Sequence, residues 1–190
     1  AISYRFFHQA AICNEFLRQA SNTSINVPDM EAYKAEVRTL RAICYMHAID
    51  LFGNVPFADE THSIGYYPEQ ISRADLFNWL ETELKDIIDN SALANARQNE
   101  YGRIDKGAAK MILAKLYLNA EVYTGTAKWN ECAQICKSIM ADGYSLHPDY
   151  QELFLADNHK CTDEIIFAIQ QDGIDTQSYG VTNYIIFAST

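Results

Sequence analysis

The sequence has few basic residues. Lys and Arg number 15 against 25 Asp and Glu, a formal net charge of −10. Nucleic-acid binding is driven by cations that neutralise phosphates, so the balance argues against that class. It argues equally against an anionic membrane surface. No apolar run approaches the ~20 residues of a membrane-spanning helix. No secretory leader opens the chain. The five cysteines, Cys13, Cys44, Cys132, Cys136 and Cys161, are odd in number and include no C-x-x-C pair. They describe neither a disulfide framework nor a zinc knuckle. Cys132 and Cys136 lie one helical turn apart, but Trp129, Ala133, Ile135 and Ile139 around them are apolar. That points to buried small hydrophobes and not to a shared metal, so no metal ligand and no cofactor is assigned. Catalytic signatures are missing too: G-x-S-x-G, H-E-x-x-H, the P-loop and G-x-G-x-x-G do not occur. The histidines are scattered (His8, His47, His62, His147, His159), and no carboxylate pair is placed as acid and base. No catalytic residue is assigned, and the chain is not read as an enzyme.

What is present is a core and tyrosine. The 190 residues are 48% hydrophobic, enough for one folded domain. Tyrosines (12) outnumber phenylalanines (9). An apolar ring with a polar tip suits half-buried helix seams or carbohydrate-stacking surfaces. With this charge balance, a neutral ligand fits best.

Periodicity predicts five helices. The first runs from Tyr4 to Ala20 with Ile2, Phe6, Ala10, Cys13 and Leu17 on one stripe. The second runs from Met30 to Phe52, its stripe being Tyr33, Val37, Leu40, Cys44 and Leu51. Gly53 stops it and Pro56 prevents continuation. Ser72 caps a third helix, with Asp75 three residues on and a stripe of Phe77, Leu80, Leu84, Ile87 and Ile88. Asp105 opens a fourth through Ala120, apolar almost all round and therefore central. The fifth carries Trp129, Cys132, Ala133, Cys136, Ile139 and Met140 on one face and ends at Asp142-Gly143. Beyond it, "DEIIFAIQQ" and "YGVTNYIIFA" read as short strands. Leu113, Ala114 and Tyr117 have the large–small–aromatic spacing of the first helix of a tetratricopeptide repeat. The fold class is therefore mostly α, with TPR-like helix pairs and short strand or loop segments near the C-terminal end. Residues 1–160 form the helical region, and 161–190 begin a less regular region. Arg38, Arg41, Arg103 and Lys106 beside apolar runs are expected to meet acids or carbonyls as scaffold.

The stretch "AEVRTLRAICYMHAIDLFGNVPFADE" resembles the SusD-like (SusD/RagB) outer-membrane lipoproteins. The matching positions are Ala35, Glu36, Arg38, Leu40, Arg41, Ala42, Tyr45, Phe52, Gly53, Val55, Pro56 and Glu60. "ICNEFL" with Asn14, "YGRIDKGAAKMILAKLYLNA", "YTGTAKWNECAQICKSIMADGYSL" and "YQELFLADNHKCTDEIIFAIQ" resemble further segments of the same family in the same order. The resemblance implies a non-catalytic protein held at the cell surface of the outer membrane by a lipid anchor missing from this chain. It implies a glycan ligand, oligosaccharide or polysaccharide, and a SusC-like TonB-dependent transporter as partner. Its ligand sites are aromatic platforms with a few polar groups. The positions here from such a region are Tyr179, Asn183 and Tyr184. Tyr66 and Tyr67 in "IGYYPEQ" form a second exposed pair. Both ends of the chain read as cut, and "NYIIFAST" as an apolar run in want of a packing partner. The alternative function is a TPR-like adaptor or uptake protein binding a peptide or protein.

Overall fold

A computed structural model describes residues 2–170 and 174–175. Helix α1 spans Ile2–Asn22, α2 Met30–Phe52, α3 Arg73–Asn90, α4 Lys106–Leu118, α5 Ala120–Thr124 and α6 Trp129–Ala141. Among the described residues the sheet is one antiparallel pair, β1 (Val55–Pro56) and β2 (Gln70–Ile71), with Val55 opposite Ile71. Two 3₁₀ turns follow at Tyr150–Phe154 and Asn158–Lys160. Successive helices pack on their neighbours: α1 on α2, α2 on α3, α3 on α4, and α4 on α6. This is the TPR-like stacking the sequence predicts.

Local chemistry sets the helix ends. The Ser72 hydroxyl accepts the Asp75 N–H at 3.1 Å and donates to the Asp75 carboxylate at 2.6 Å. One Asp105 carboxylate oxygen accepts the N–H groups of Gly107 and Ala108, while the other accepts that of Arg97 at 2.7 Å. Gly53 closes α2 at φ 72°, ψ −96°, outside the range of side-chain-bearing residues. The predicted fourth helix ends two residues early, at Leu118. The Asn119 amide donates back to the Lys115 carbonyl at 3.1 Å, and α5 restarts beyond it.

Three expectations are corrected. On α2 only Cys44 of the predicted stripe is buried, and Leu51 is exposed. The buried set is Ala35, Thr39, Arg41, Ala42, Cys44, Tyr45, Ala48 and Ile49. Helix α2 touches α1, α3 and α4 together, so its buried face is wide and uses alanines where backbones approach closely. On α6 the predicted face is rotated: Trp129, Ala133 and Met140 are exposed. Cys132 and Ile139 of that face do pack inward, joined by Ile135, because this short element is covered chiefly by α4. The strand expected from Asp163 is a loop segment over 163–170. Ile166 and Phe167 still lie against the core, so its apolar residues serve packing without a strand partner. The second expected strand, 179–188, lies outside the described residues.

The repeat-type spacing on α4 holds at the packing level. Leu113, Ala114 and Tyr117 are buried, and the Cys132 thiol of α6 donates to the Ala114 carbonyl at 3.4 Å. A larger residue at 114 would displace α6.

Candidate functional site

The predicted scaffold arginines build the base of the candidate site. Arg38 donates from Nε and Nη2 to the two Glu83 carboxylate oxygens at 2.9 and 2.7 Å, and from Nη2 to Asp86 at 2.7 Å. Arg41, 2% exposed, donates to Glu83 at 3.0 Å, to Asn14 at 2.8 Å and to Glu60. Its guanidinium also lies over the Trp79 ring, 5.2 Å from the centroid. Burial alone would raise the Glu83 carboxyl; the two guanidinium groups outweigh it and hold it below the ordinary glutamate range. Arg103 similarly pairs with Glu36, which also accepts from Asn99 at 3.2 Å. Lys106 makes no ion pair among the described residues. Asn14, Glu36, Arg38, Arg41, Tyr45, Glu60 and Arg103, far apart in sequence, are thus scaffold groups.

On that base stands a closed loop. Pairing of β1 with β2 brings Phe57 and Glu69 together (N–H to carbonyl, 3.0 Å), so residues 58–68 leave and return at one point. The Ala58 carbonyl accepts from Asn14 Nδ2 and from the Tyr45 hydroxyl, both at 2.8 Å. The Ala58 N–H donates back to that hydroxyl at 3.1 Å. Tyr45, Phe57 and Trp79 buttress the loop from below, with ring centroids 5.0–5.4 Å apart. Higher up, the Asp59 carboxylate accepts from the Thr61 N–H at 3.0 Å and hydroxyl at 2.6 Å, and lies 2.9 Å from His62 Nδ1. Burial pushes the Asp59 carboxyl up, but the Thr61 and His62 contacts prevail and hold it low.

The tip presents the tyrosines. His62 and Tyr66 lie ring on ring at 4.2 Å, and Gly65 turns the chain at φ 87°. Tyr67 is 91% exposed. The arrangement is a ring face backed by an imidazole, a second free ring and an ionised carboxylate. It can stack an apolar C–H face and accept hydrogen bonds from hydroxyls. Of the five residues singled out in the sequence, Tyr66 and Tyr67 are brought together here. Tyr179, Asn183 and Tyr184 lie outside the described residues.

Two supporting residues escaped the sequence reading. In sequence His62 is one of five scattered histidines, and Asp59 belongs to no motif. The signal available was the Asp-x-Thr-His spacing, which favours a local Asx-type turn. Sequence reading also missed the surface where the turn at 97–105 meets 162–170. A cleft of about 240 Å³ there is lined by Arg97, Tyr101, Arg103, Tyr144 and Phe167. Arg97 lies over the Tyr144 ring at 5.4 Å, and Gln170 donates to the Tyr101 carbonyl. An apolar groove of about 620 Å³ continues past Leu40, Ile43 and Ile169. The pieces come from four separate stretches of chain, so no local pattern marks them.

Tyr45→Phe tests how the loop is held. It removes the hydroxyl that both donates to and accepts from Ala58. The expected loss is about 1–3 kcal/mol of unfolding free energy, with faster proteolysis at 58–68. Unchanged stability and unchanged cleavage would show that the Asn14 contact alone anchors the loop.

No family model matches the chain. Starch-binding protein SusD of Bacteroides thetaiotaomicron is 36% identical to it over 156 residues, 80% of this chain and 28% of that protein. A solved SusD-like carbohydrate binding protein from Bacteroides fragilis has a TM-score of 0.71 at 26% identity, covering 85% of this chain and 31% of that one. A further solved SusD-like protein from the same species has a TM-score of 0.74 at 22% identity, covering 94% of this chain and 34% of its own. This last likeness bears on the fold alone. The chain spans about a third of the length of these relatives or somewhat less. No helix among the described residues is long and apolar enough to cross a membrane.

Proposed function

The chain is SusD-like in sequence and in fold, and from that premise we propose that its protein is a non-catalytic glycan-binding protein of the cell surface. It is anchored in the outer membrane by lipid and passes oligosaccharide or polysaccharide to a SusC-like TonB-dependent transporter. The observation that carries this reading is the 36% identity to a starch-binding protein across 80% of the chain. The chemistry of the surface agrees with it. A chain with a formal net charge of −10 suits an uncharged ligand better than an anionic one. The Tyr66–Tyr67 tip offers exposed ring faces, and His62, packed on Tyr66, is held by the Asp59 carboxylate; ring faces with polar groups nearby suit a sugar ring. Tyr179, Asn183 and Tyr184 are assigned to the same ligand.

The test is retardation of the full-length protein in gels containing single polysaccharides, with starch the first arm, followed by calorimetry on the glycan that retards it. Tyr66→Ala with Tyr67→Ala, and separately Tyr184→Ala, run beside it. An aromatic platform is worth about 0.5–1.5 kcal/mol beyond its buried area. Affinity should therefore fall about tenfold in whichever variant removes the ring contact. Retardation by one glycan class with loss in either variant supports the reading. Absence of retardation by every polysaccharide would sink it and favour a peptide ligand. Co-isolation with a TonB-dependent transporter tests the delivery step.

A further inference from the structure

Away from the tyrosine tip, the segment after α6 gathers three groups that a divalent metal ion would use. His147 Nε2 lies 2.8 Å from a Glu152 carboxylate oxygen. The Cys161 thiol lies 3.7 Å from the same nitrogen, and one ligand atom from each of the three falls within 4.8 Å of the others. In a tetrahedral zinc site, metal–ligand bonds of about 2.0–2.3 Å place neighbouring ligand atoms about 3.3–3.6 Å apart. The sulfur–nitrogen separation is already close to this. The nitrogen–oxygen pair must open by about half an ångström. The Glu152 side chain is 55% exposed and free to give that distance.

A second observation points the same way. His147 Nδ1 is buried and has no hydrogen-bond partner among the described residues. Asp163 Oδ2 stands 3.8 Å from it. A histidine that ligates through Nε2 carries its proton on Nδ1, and a carboxylate beside that nitrogen fixes the tautomer and the ring. Two hydrogen bonds hold the two sides in register: the Ser145 N–H donates to the Asp163 carbonyl at 3.1 Å, and the His147 N–H to the Glu164 side-chain carboxylate at 2.8 Å.

We propose that His147, Glu152 and Cys161 form a binding site for a borderline-soft divalent cation of the Zn²⁺ class, with Asp163 orienting the histidine. Imidazole, carboxylate and thiolate together select zinc over calcium or magnesium, which take oxygen ligands. On binding, the Cys161 sulfur–proton bond gives way to a sulfur–metal bond and the proton passes to solvent. The fourth position is left to water. The site staples the turns at Tyr150–Phe154 and Asn158–Lys160, where Tyr150, Phe154 and Leu155 are exposed and contribute little core. No spacing in the sequence marked it; the residues are brought together by the return of 161–164 past 145–147.

The experiment uses full-length protein treated with chelator, dialysed and titrated calorimetrically with Zn²⁺ alone. Co²⁺ serves as the spectroscopic probe. Expected are one-to-one binding and a thiolate-to-cobalt charge-transfer absorption. Cys161→Ser should abolish the absorption. His147→Ala and Glu152→Gln should each weaken Zn²⁺ by about tenfold or more. The double variant Cys132→Ala, Cys136→Ala should leave both signals intact, which separates this site from the cysteine pair on α6. Circular dichroism checks that each variant keeps its helices. Glu152→Gln, on a half-exposed side chain, keeps the test decisive if a core-facing variant fails to fold. Absence of saturable Zn²⁺ binding overturns the proposal. So does a cobalt spectrum that survives Cys161→Ser, or an affinity unchanged in Glu152→Gln.

Discussion

Glu83→Ala is expected to lower the unfolding free energy by about 3–5 kcal/mol, the cost of leaving buried guanidinium groups without their carboxylate. Glu83 bridges Arg38 and Arg41, and Arg41 is 2% exposed. Truncation leaves Arg41 with Asn14 and the part-exposed Glu60, while its Nε already lacks a partner among the described residues. The same change loosens the joint between α1, α2 and α3 and the root of the 58–68 loop. Arg38→Ala should cost less, because Arg38 is more exposed and its second partner, Asp86, is nearly half exposed. Urea denaturation with an unchanged m-value measures both. A loss below about 1 kcal/mol for Glu83→Ala would mean that the pair behaves like a screened surface bridge.

The pH dependence follows from the same carboxylate. Its folded pKa lies below its unfolded one. The stabilisation is therefore present above the unfolded value and is lost as pH falls below about 4.3 and through the folded pKa. Wild type should lose stability across that window, and Glu83→Gln should flatten the loss.

The second large effect is expected for Phe77→Ala, about 3–5 kcal/mol from lost burial and the cavity left behind. Phe77 is 1% exposed. Its ring lies 6.5 Å from that of Tyr123, whose hydroxyl donates to Asp50 of α2 at 2.8 Å. The Lys128 ammonium sits 5.6 Å above Phe77 while bonded to both Glu81 oxygens at 2.8 Å. Phe77 of α3 therefore meets α5 and the start of α6, and through Tyr123 it is linked to α2. Trp129→Ala is the matched control. Trp129 is larger but 61% exposed, so its loss should stay within about 0.5 kcal/mol. A cost for Trp129 approaching that of Phe77 would restore the sequence-predicted face of α6 and contradict the observed one.

That contrast shows how far the sequence can be read. Periodicity placed α3 correctly because a helix with one dominant stripe buries that stripe. It misplaced most of the stripe on α2, a helix packed on α1, α3 and α4. It also misplaced part of the face on α6, a helix packed chiefly on α4, where Cys132 and Ile139 of the predicted set do lie inward. Periodicity reports that apolar residues recur; the number and direction of the covering elements decide which of them are buried. The two candidate sites divide likewise. Tyr66 and Tyr67 were legible because they are adjacent and lie in a polar, glycine-bearing loop. His62 and Asp59 gained meaning only when the loop folded upon itself. His147, Glu152 and Cys161 gained theirs when two loops crossed.

By itself the sequence determined the events that act over a few residues. These are the Ser72 and Asp105 caps, the stop at Gly53 and the demand that Arg38 and Arg41 find acids. Each depends on a hydrogen bond to a near neighbour, a backbone angle open to glycine, or the cost of burying an unpaired charge. Only the tertiary structure decided that the acids are Glu60, Glu83 and Asp86, that Tyr45 holds Ala58, and that Glu36 meets Arg103 across 67 residues. Those choices belong to packing. A partner distant in sequence is selected by which helix faces meet, and that is settled by the whole core at once.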